Sequence, residues 1–299
     1  MAATIRHSAG ALVLAALMAL QAGAATDDWA VEVVEYSPNT NNFGSFLFLL
    51  PTNATLALGH AATTTWDLTS FVPVRVFCPP LDVVTLGGYG GSLTLKMGGV
   101  VSNEDDPIHM YGIDLIVYGN AFFGTRDTSA EAQYSLPWLE DFSQEPAEIW
   151  VSPDCTNWFR ATNCVADALM PAQSLDLDGC PSDYLKPIDP SLLQTNWFDM
   201  TTWSYSNTVP LYGGAAGGAP VDLSQLADEG GAPTSITAIL YVKLVDTSTD
   251  PIYLDDPPSA EIDAVARVAD APEPAGLSAV LATVLLGIRL FRTTGRGKR

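Results

Sequence analysis

Ala147-Glu-Ile-Trp-Val-Ser-Pro-Asp-Cys-Thr-Asn-Trp-Phe-Arg-Ala-Thr162 decides the fold class. Ala147–Val151 and Trp158–Thr162 are short runs rich in β-branched and aromatic residues. Between them lies Ser152–Asn157, where Pro153, Asp154 and Asn157 are turn formers. Two such runs around a turn predict a β-hairpin.

Outward from this hairpin the chain keeps the same rhythm. Trp29–Tyr36, Ile113–Tyr118, Ser235–Val245 and Ala260–Val268 read as strands. Val83–Met97 (VVTLGGYGGSLTLKM) reads as strand, glycine turn, strand. Only Val221–Asp228, with Leu223 and Leu226 three apart, reads as helix. The stretch 163–212 reads as an irregular, surface-lying connection. Short strands separated by Gly, Pro, Asp and Asn predict an all-β body, a single jelly-roll-like β-sandwich over residues 26–270.

The two ends read as addresses. Arg6, an apolar run from Ala9 to Leu20 and the small-residue site Ala22-Gly23-Ala24 predict a signal peptide over 1–25. The other end carries Pro272-Glu273-Pro274, an apolar stretch from Ala275 to Ile288, and Arg289, Arg292, Arg296, Lys298 and Arg299. Those 14 apolar residues fall short of the roughly 17–25 of a comfortable transmembrane helix; Leu290 and Phe291 extend them to the lower limit. The basic cluster would stay cytoplasmic and leave the body outside.

This tail, residues 271–299, resembles the PEP-CTERM sorting signal of Gram-negative bacteria. The resemblance implies recognition by an exosortase-type enzyme, transient membrane association through the hydrophobic helix, and delivery to the cell surface, outer envelope or extracellular matrix. A plain membrane anchor is the other reading of the same residues.

Composition narrows the function. The 299 residues hold 34 Asp+Glu against 13 Lys+Arg. With Arg6 and the five basic tail residues set aside, seven Lys+Arg face 33 Asp+Glu between 26 and 272, a formal charge of about −26. That balance excludes a nucleic-acid binder, which needs cations for phosphate, and favours divalent cations. Three histidines, His7, His60 and His109, are too dispersed for a His-rich zinc site. The sequence carries no Ser/His/Asp arrangement, phosphate loop or H-E-x-x-H. Four cysteines, Cys78, Cys155, Cys164 and Cys180, suit an exported chain with two disulfides. Three connectivities are open; Cys164–Cys180 with Cys78–Cys155 is the favoured one.

Candidate ligands follow from side-chain chemistry. Asp176, Asp178 and Asp183, with Gly179 between, resemble an oxygen-ligand calcium loop that lacks the last glutamate of an EF-hand. Asp114 and Asn120 flank an apolar strand core on one face. Asp114 is expected to bond a neighbouring loop's amides, with ligand contact as the second reading. Among the aromatics Trp138, Trp150, Trp158, Trp197, Trp203, Tyr111, Tyr118 and Tyr205, a flat face can stack on a pyranose. Trp150 and Trp158 read as core; Trp197 and Trp203, in a Thr/Asn-rich stretch, read as sugar platforms.

Leu86-Gly-Gly-Tyr-Gly-Gly-Ser92, Asp114-Leu-Ile-Val-Tyr-Gly-Asn-Ala-Phe122, Val151-Ser-Pro-Asp-Cys-Thr-Asn-Trp158 and Glu261-Ile-Asp-Ala-Val265 together resemble a group of bacterial exported cell-surface proteins that commonly carry PEP-CTERM tails. The hairpin is also similar to one in discoidin-like, galactose-binding-like jelly rolls, whose relatives often bind carbohydrate. The sequence departs from the pattern at Cys155, where Gly is usual, and at Gly217-Gly-Ala-Pro220, where an Asp follows the glycines. In such jelly rolls a structural calcium often clips the first and last strands. The resemblance therefore implies a site from Glu35, Asp255 and Asp263, beside Glu32, Asp250, Asp256 and Glu261. The expected function is a non-catalytic exported surface or matrix protein that binds carbohydrate with structural calcium. An extracellular carbohydrate-active enzyme with paired carboxylates, or a purely structural coat protein, are the alternatives.

Overall fold

The computed structural model describes residues 28–39, 53–63, 83–103, 109–125, 139–168, 170–194, 205–248 and 259–268. The expected signal peptide, the tail with Pro272, Glu273, Pro274, Arg289 and Arg292, and Cys78, Trp197, Trp203 and Asp255 lie outside them. Among the described residues no helix is long and apolar enough to cross a membrane.

The described chain is mostly antiparallel sheet. Its strands are β1 (Ala30–Ser37), β2 (Val84–Thr85), β3 (Ser92–Ser102), β4 (Leu115–Gly119), β5 (Phe122–Thr125), β6 (Leu139–Ser143) and β7 (Ala147–Ser152). They continue as β8 (Phe159–Ala161), β9 (Ala219–Val221), β10 (Leu226–Ala227), β11 (Pro233–Thr234), β12 (Ala238–Asp246) and β13 (Glu261–Arg267). A large sheet runs β1-β3-β12-β7-β8-β10-β11, and a smaller one runs β2-β13-β4-β9. β5 and β6 pair as a separate ribbon.

The pleat explains the core. Successive side chains point to opposite faces, so one row of the large sheet aligns Val33, Leu95, Val242 and Val151, and the next aligns Tyr36, Leu93, Leu244 and Ile149. These pack with Leu115 and Val117 of β4, Ile262 and Val265 of β13, and Val84 of β2. Each fully buried aliphatic side chain contributes about 1.5–3 kcal/mol relative to exposure.

The smaller sheet is buried on its other face as well. Ile116, Tyr118, Ala264 and Ala266 point away from the first core and pack with Trp29, Ala172, Tyr184 and Ala216. The stretch after β8, expected to lie on the surface, covers this face: Met170, Ala172, Ile188 and Tyr212 in it are all buried. Side-chain hydroxyls fasten the layer. Tyr118 donates to the Tyr184 carbonyl at 2.7 Å, and Tyr212 to the Pro171 carbonyl at 2.7 Å.

The glycine turn between β2 and β3 stands as expected, and it carries the chain from one sheet to the other. Two further expectations are corrected. Val221–Asp228 is not a helix. The Asp222 carboxylate accepts the N–H of Ser224 at 2.8 Å, and Gln225 N–H bonds the Asp222 carbonyl, forming a turn between β9 and β10. The resemblance implies first and last strands side by side, but β1 and β13 belong to different sheets; a single bridge, Trp29–Ala266, joins β13 to the residue before β1.

Candidate functional site

The outer face of the large sheet collects aromatic and charged side chains. Alternation along β7 sends Ile149 and Val151 to the core and Trp150 outward. In register with Trp150 stand Lys243 on β12 and Arg160 on β8. Trp158 joins them from the end of the hairpin turn. Lys243 Nζ lies 4.4 Å from the Trp158 ring centroid and 5.7 Å from that of Trp150. Glu148 accepts the Trp150 Nε1–H at 3.0 Å and pairs with Arg160 at 2.8 Å. Both tryptophans are half-buried, so the expectation that they are core residues is corrected: each keeps an accessible edge.

The turn that presents Trp158 is built by side chains. Ser152 Oγ accepts the N–H of Cys155 at 2.9 Å, and Asp154 Oδ1 accepts those of Thr156 and Asn157 at 2.9 Å each. These donors hold the Asp154 carboxyl well below the usual carboxylate range. Cys155 sits at φ 64°, the left-handed conformation that makes glycine usual there.

A second cluster lies where the two sheets meet. Glu145 precedes β7, Asp167 follows β8, Glu261 opens β13 and Asn120 follows β4. Carboxylate oxygens of Glu145, Asp167 and Glu261 lie within 4.8 Å of one another. Asp167 Oδ1 accepts Asn120 N–H at 2.6 Å and its Oδ2 accepts Glu261 N–H at 2.9 Å. Asn120 Nδ2 donates to Glu261 Oε2 at 2.6 Å, and Ser259 N–H to Glu145 Oε1 at 3.1 Å. Burial, then repulsion from Glu261, pushes the Asp167 carboxyl well above its usual range, against the pull of the backbone donors. A small recess of about 10 Å³ is lined by Gly119, Ala121, Asp167, Met170 and Gly218.

The cluster redraws the expected metal ligands. Among the described residues this is the one group of three whose ligand atoms converge so closely. Asp176, Asp178 and Asp183 do not converge: Asp176 Oδ1 accepts the N–H groups of Asp178 and Cys180, and Asp183 Oδ1 accepts that of Leu185. The loop is a set of self-capping turns. Glu35 is exposed on β1, while Asp263 is buried and accepts Ala62 N–H at 2.9 Å. Asp114 is buried and accepts Leu223 N–H at 2.9 Å.

The thiols also differ from expectation. Cys155, Cys164 and Cys180 are all free, so the favoured Cys164–Cys180 bridge is not formed. Cys164 packs against the first core, Cys180 sits on an exposed turn, and Asp176 closes that turn in place of a disulfide.

Glu145 and Asp167 escape sequence reasoning. Nothing local marks them beyond a carboxylate set among apolar residues in Val165-Ala-Asp-Ala168. Their partners come from positions 94 and 116 residues away. Compared with known protein families and with curated proteins, the chain matches none.

Proposed function

We propose that this is an exported, non-catalytic surface or matrix-associated protein of jelly-roll type, which binds glycan on the outer face of its large sheet. One observation carries the reading: Trp150 and Trp158 lie on the solvent side of the sheet, with Lys243, Arg160 and Glu148 around them. Indole faces suit the apolar face of a pyranose, and the charged groups beside them suit its hydroxyls. Lys243 competes for the same rings, which favours an acidic glycan whose carboxylate would draw the ammonium aside.

The signal-like start and the Pro272-Glu273-Pro274 tail support export, exosortase processing and surface delivery. The two antiparallel sheets with a shared core support the jelly-roll assignment. A glycosidase reading of the paired carboxylates fits the cluster poorly. Its oxygens crowd within 4.8 Å around a buried aspartate, and the recess beside it has about 10 Å³ of usable space, room for about one water. Ordinary ligand sites occupy roughly 300–1,000 Å³.

A glycan array on the purified protein tests the proposal. Binding that falls at least tenfold in Trp158→Ala, with no release of reducing sugar, supports it. No binding, or binding indifferent to Trp150→Ala and Trp158→Ala together, overturns it. Release abolished by a single carboxylate change would make it an enzyme. Replacing Pro272-Glu273-Pro274 with alanines should alter processing; unchanged processing would leave the tail a plain anchor.

A further inference from the structure

We infer that Lys243 makes the indole face selective for uronic acids, an inference that rests on the glycan reading of that face and narrows it to one class of ligand. With no ligand bound, the ammonium occupies the rings and excludes neutral sugars. The carboxylate of a uronic acid draws it off and takes it as partner.

The charge pattern singles Lys243 out. Between 26 and 272 seven Lys+Arg face 33 Asp+Glu, so a cation there has anions in excess. Among the described residues Lys96 pairs with Glu32 at 3.4 Å, Arg160 with Glu148 at 2.8 Å and Arg267 with Asp28 at 2.7 Å. Lys186 donates to the Gly213 carbonyl at 2.6 Å. Lys243 is the exception: no oxygen among the described residues pairs with its ammonium, which rests 4.4 Å from the Trp158 centroid and 5.7 Å from that of Trp150. A cation over an accessible ring face is held less firmly than one in a charge-assisted hydrogen bond. A carboxylate arriving at the rim of the rings therefore wins it.

The neighbours leave that place open. Lys243 stands mid-sheet, in register with Trp150 on one side and Thr94 on the other. Glu148 is already committed to Arg160 and to the Trp150 Nε1–H. The half-buried Trp158 keeps an accessible edge, and its Nε1–H has no acceptor among the described residues. Two donors, an ammonium and an indole N–H, thus stand at one flat ring unclaimed by any oxygen.

A uronic acid matches this arrangement. Its pyranose offers an apolar C–H face to the indole, and its carboxylate projects from the ring edge, where the displaced ammonium comes to lie. The compact ammonium, with three donors, suits a single carboxylate. A neutral hexose has nothing to draw the ammonium aside, so it meets an occupied platform. A densely sulfated glycan is opposed by the body charge of about −26 and by exposed Glu32 and Glu35 on β1. One charge per sugar keeps the contact with Lys243 and limits that repulsion.

Calorimetric titration of the full chain with oligogalacturonate and oligomannuronate, against the methyl esters of the same oligomers, tests the inference. The acids should bind about tenfold or more tightly than their neutral esters, the difference one charge-assisted hydrogen bond supplies. Lys243→Met keeps the apolar stem and removes the charge. It should lose the preference and bind the esters roughly two- to fivefold more tightly than wild type, a gain that a misfolded variant could not show. Lys243→Arg should retain the preference, and Trp158→Ala should weaken acids and esters alike. Acids and esters bound equally by wild type, or a preference that survives in Lys243→Met, overturns the inference and leaves glycan binding standing. Dextran sulfate bound more tightly than the uronates overturns the assignment to carboxylates. Absence of binding to every oligomer overturns it too, and a blank glycan array beside that result removes the glycan reading as well.

Discussion

Asp246 Oδ2 accepts the backbone N–H of Ala260 at 2.7 Å, and this bond fastens the end of β12 in the large sheet to the approach of β13 in the small one. The same carboxylate takes the N–H of Gly88 at 3.1 Å and of Ser248 at 2.8 Å. Asp246 is 1% exposed. Asp246→Ala would strand these donors, at about 1–3 kcal/mol for each buried group left unpaired. We expect a loss of at least about 3 kcal/mol in urea unfolding, with Asp246→Asn losing less.

Asp246 also sets a pH dependence. Burial pushes its carboxyl above the ordinary 3.8, so the folded state binds this proton more tightly than the unfolded one. Stability contributed by the group is therefore greatest below 3.8 and falls as pH rises through the raised folded pKa. The urea midpoint of wild type, compared with Asp246→Asn at each pH, should decline from about pH 4 upward. A difference that is flat with pH would refute the buried-carboxylate account.

Two glycines separate strain from crowding. Gly218 has φ 83°, and a Cβ there would stand 2.7 Å from Ile116 Cγ2 and 3.0 Å from Tyr118 Cδ1. Gly213 has φ 59° with nothing within 4 Å of a built Cβ. Gly213→Ala should cost only the left-handed penalty, about 1–2 kcal/mol. Gly218→Ala adds overpacking of about 1–3 kcal/mol. Equal melting losses for the two would contradict the covered face of the small sheet.

The cysteines offer a chemical check. Burial pushes the Cys164 thiol far above its usual range, and the thiolate is the reactive form. Maleimide should label exposed Cys180 well before Cys164 in the folded protein. Cys155→Gly should be neutral or stabilising by up to about 1 kcal/mol, since glycine adopts φ 64° freely. A large destabilisation would point to a bridge at Cys155.

Much of the architecture was legible because burial on one face leaves a period of two. Trp158–Thr162 and Ala260–Val268 contain β8 and β13, and Ala147–Val151 and Ser235–Val245 each stop one residue short of the end of β7 and β12. Trp150 was misread because its hydrophobicity was weighed above its place between Ile149 and Val151, which alternation turns outward. Leu223 and Leu226 imitate helical spacing, but Leu226 and Ala227 pair as strand with β8 and β11. The acidic cluster was half legible: Asn120 and Glu261 stand in recognisable strand ends, while Glu145 and Asp167 acquire meaning only when pairing of β7 with β8 brings them beside β13. No short-range pattern encodes that meeting.

The strand order has a consequence in time. β12 sits inside the large sheet between β3 and β7, and β13 sits inside the small one between β2 and β4, yet both come last among the described strands. Among the described strands, before Ala238 emerges the large sheet exists only as β1-β3 and β7-β8-β10-β11, and β2 lacks β13, its partner in the small sheet. Such non-local closure is intrinsically slow. The chain must stay unfolded or be shielded until nearly all of it is available, and then both layers can close together around the same thirty residues.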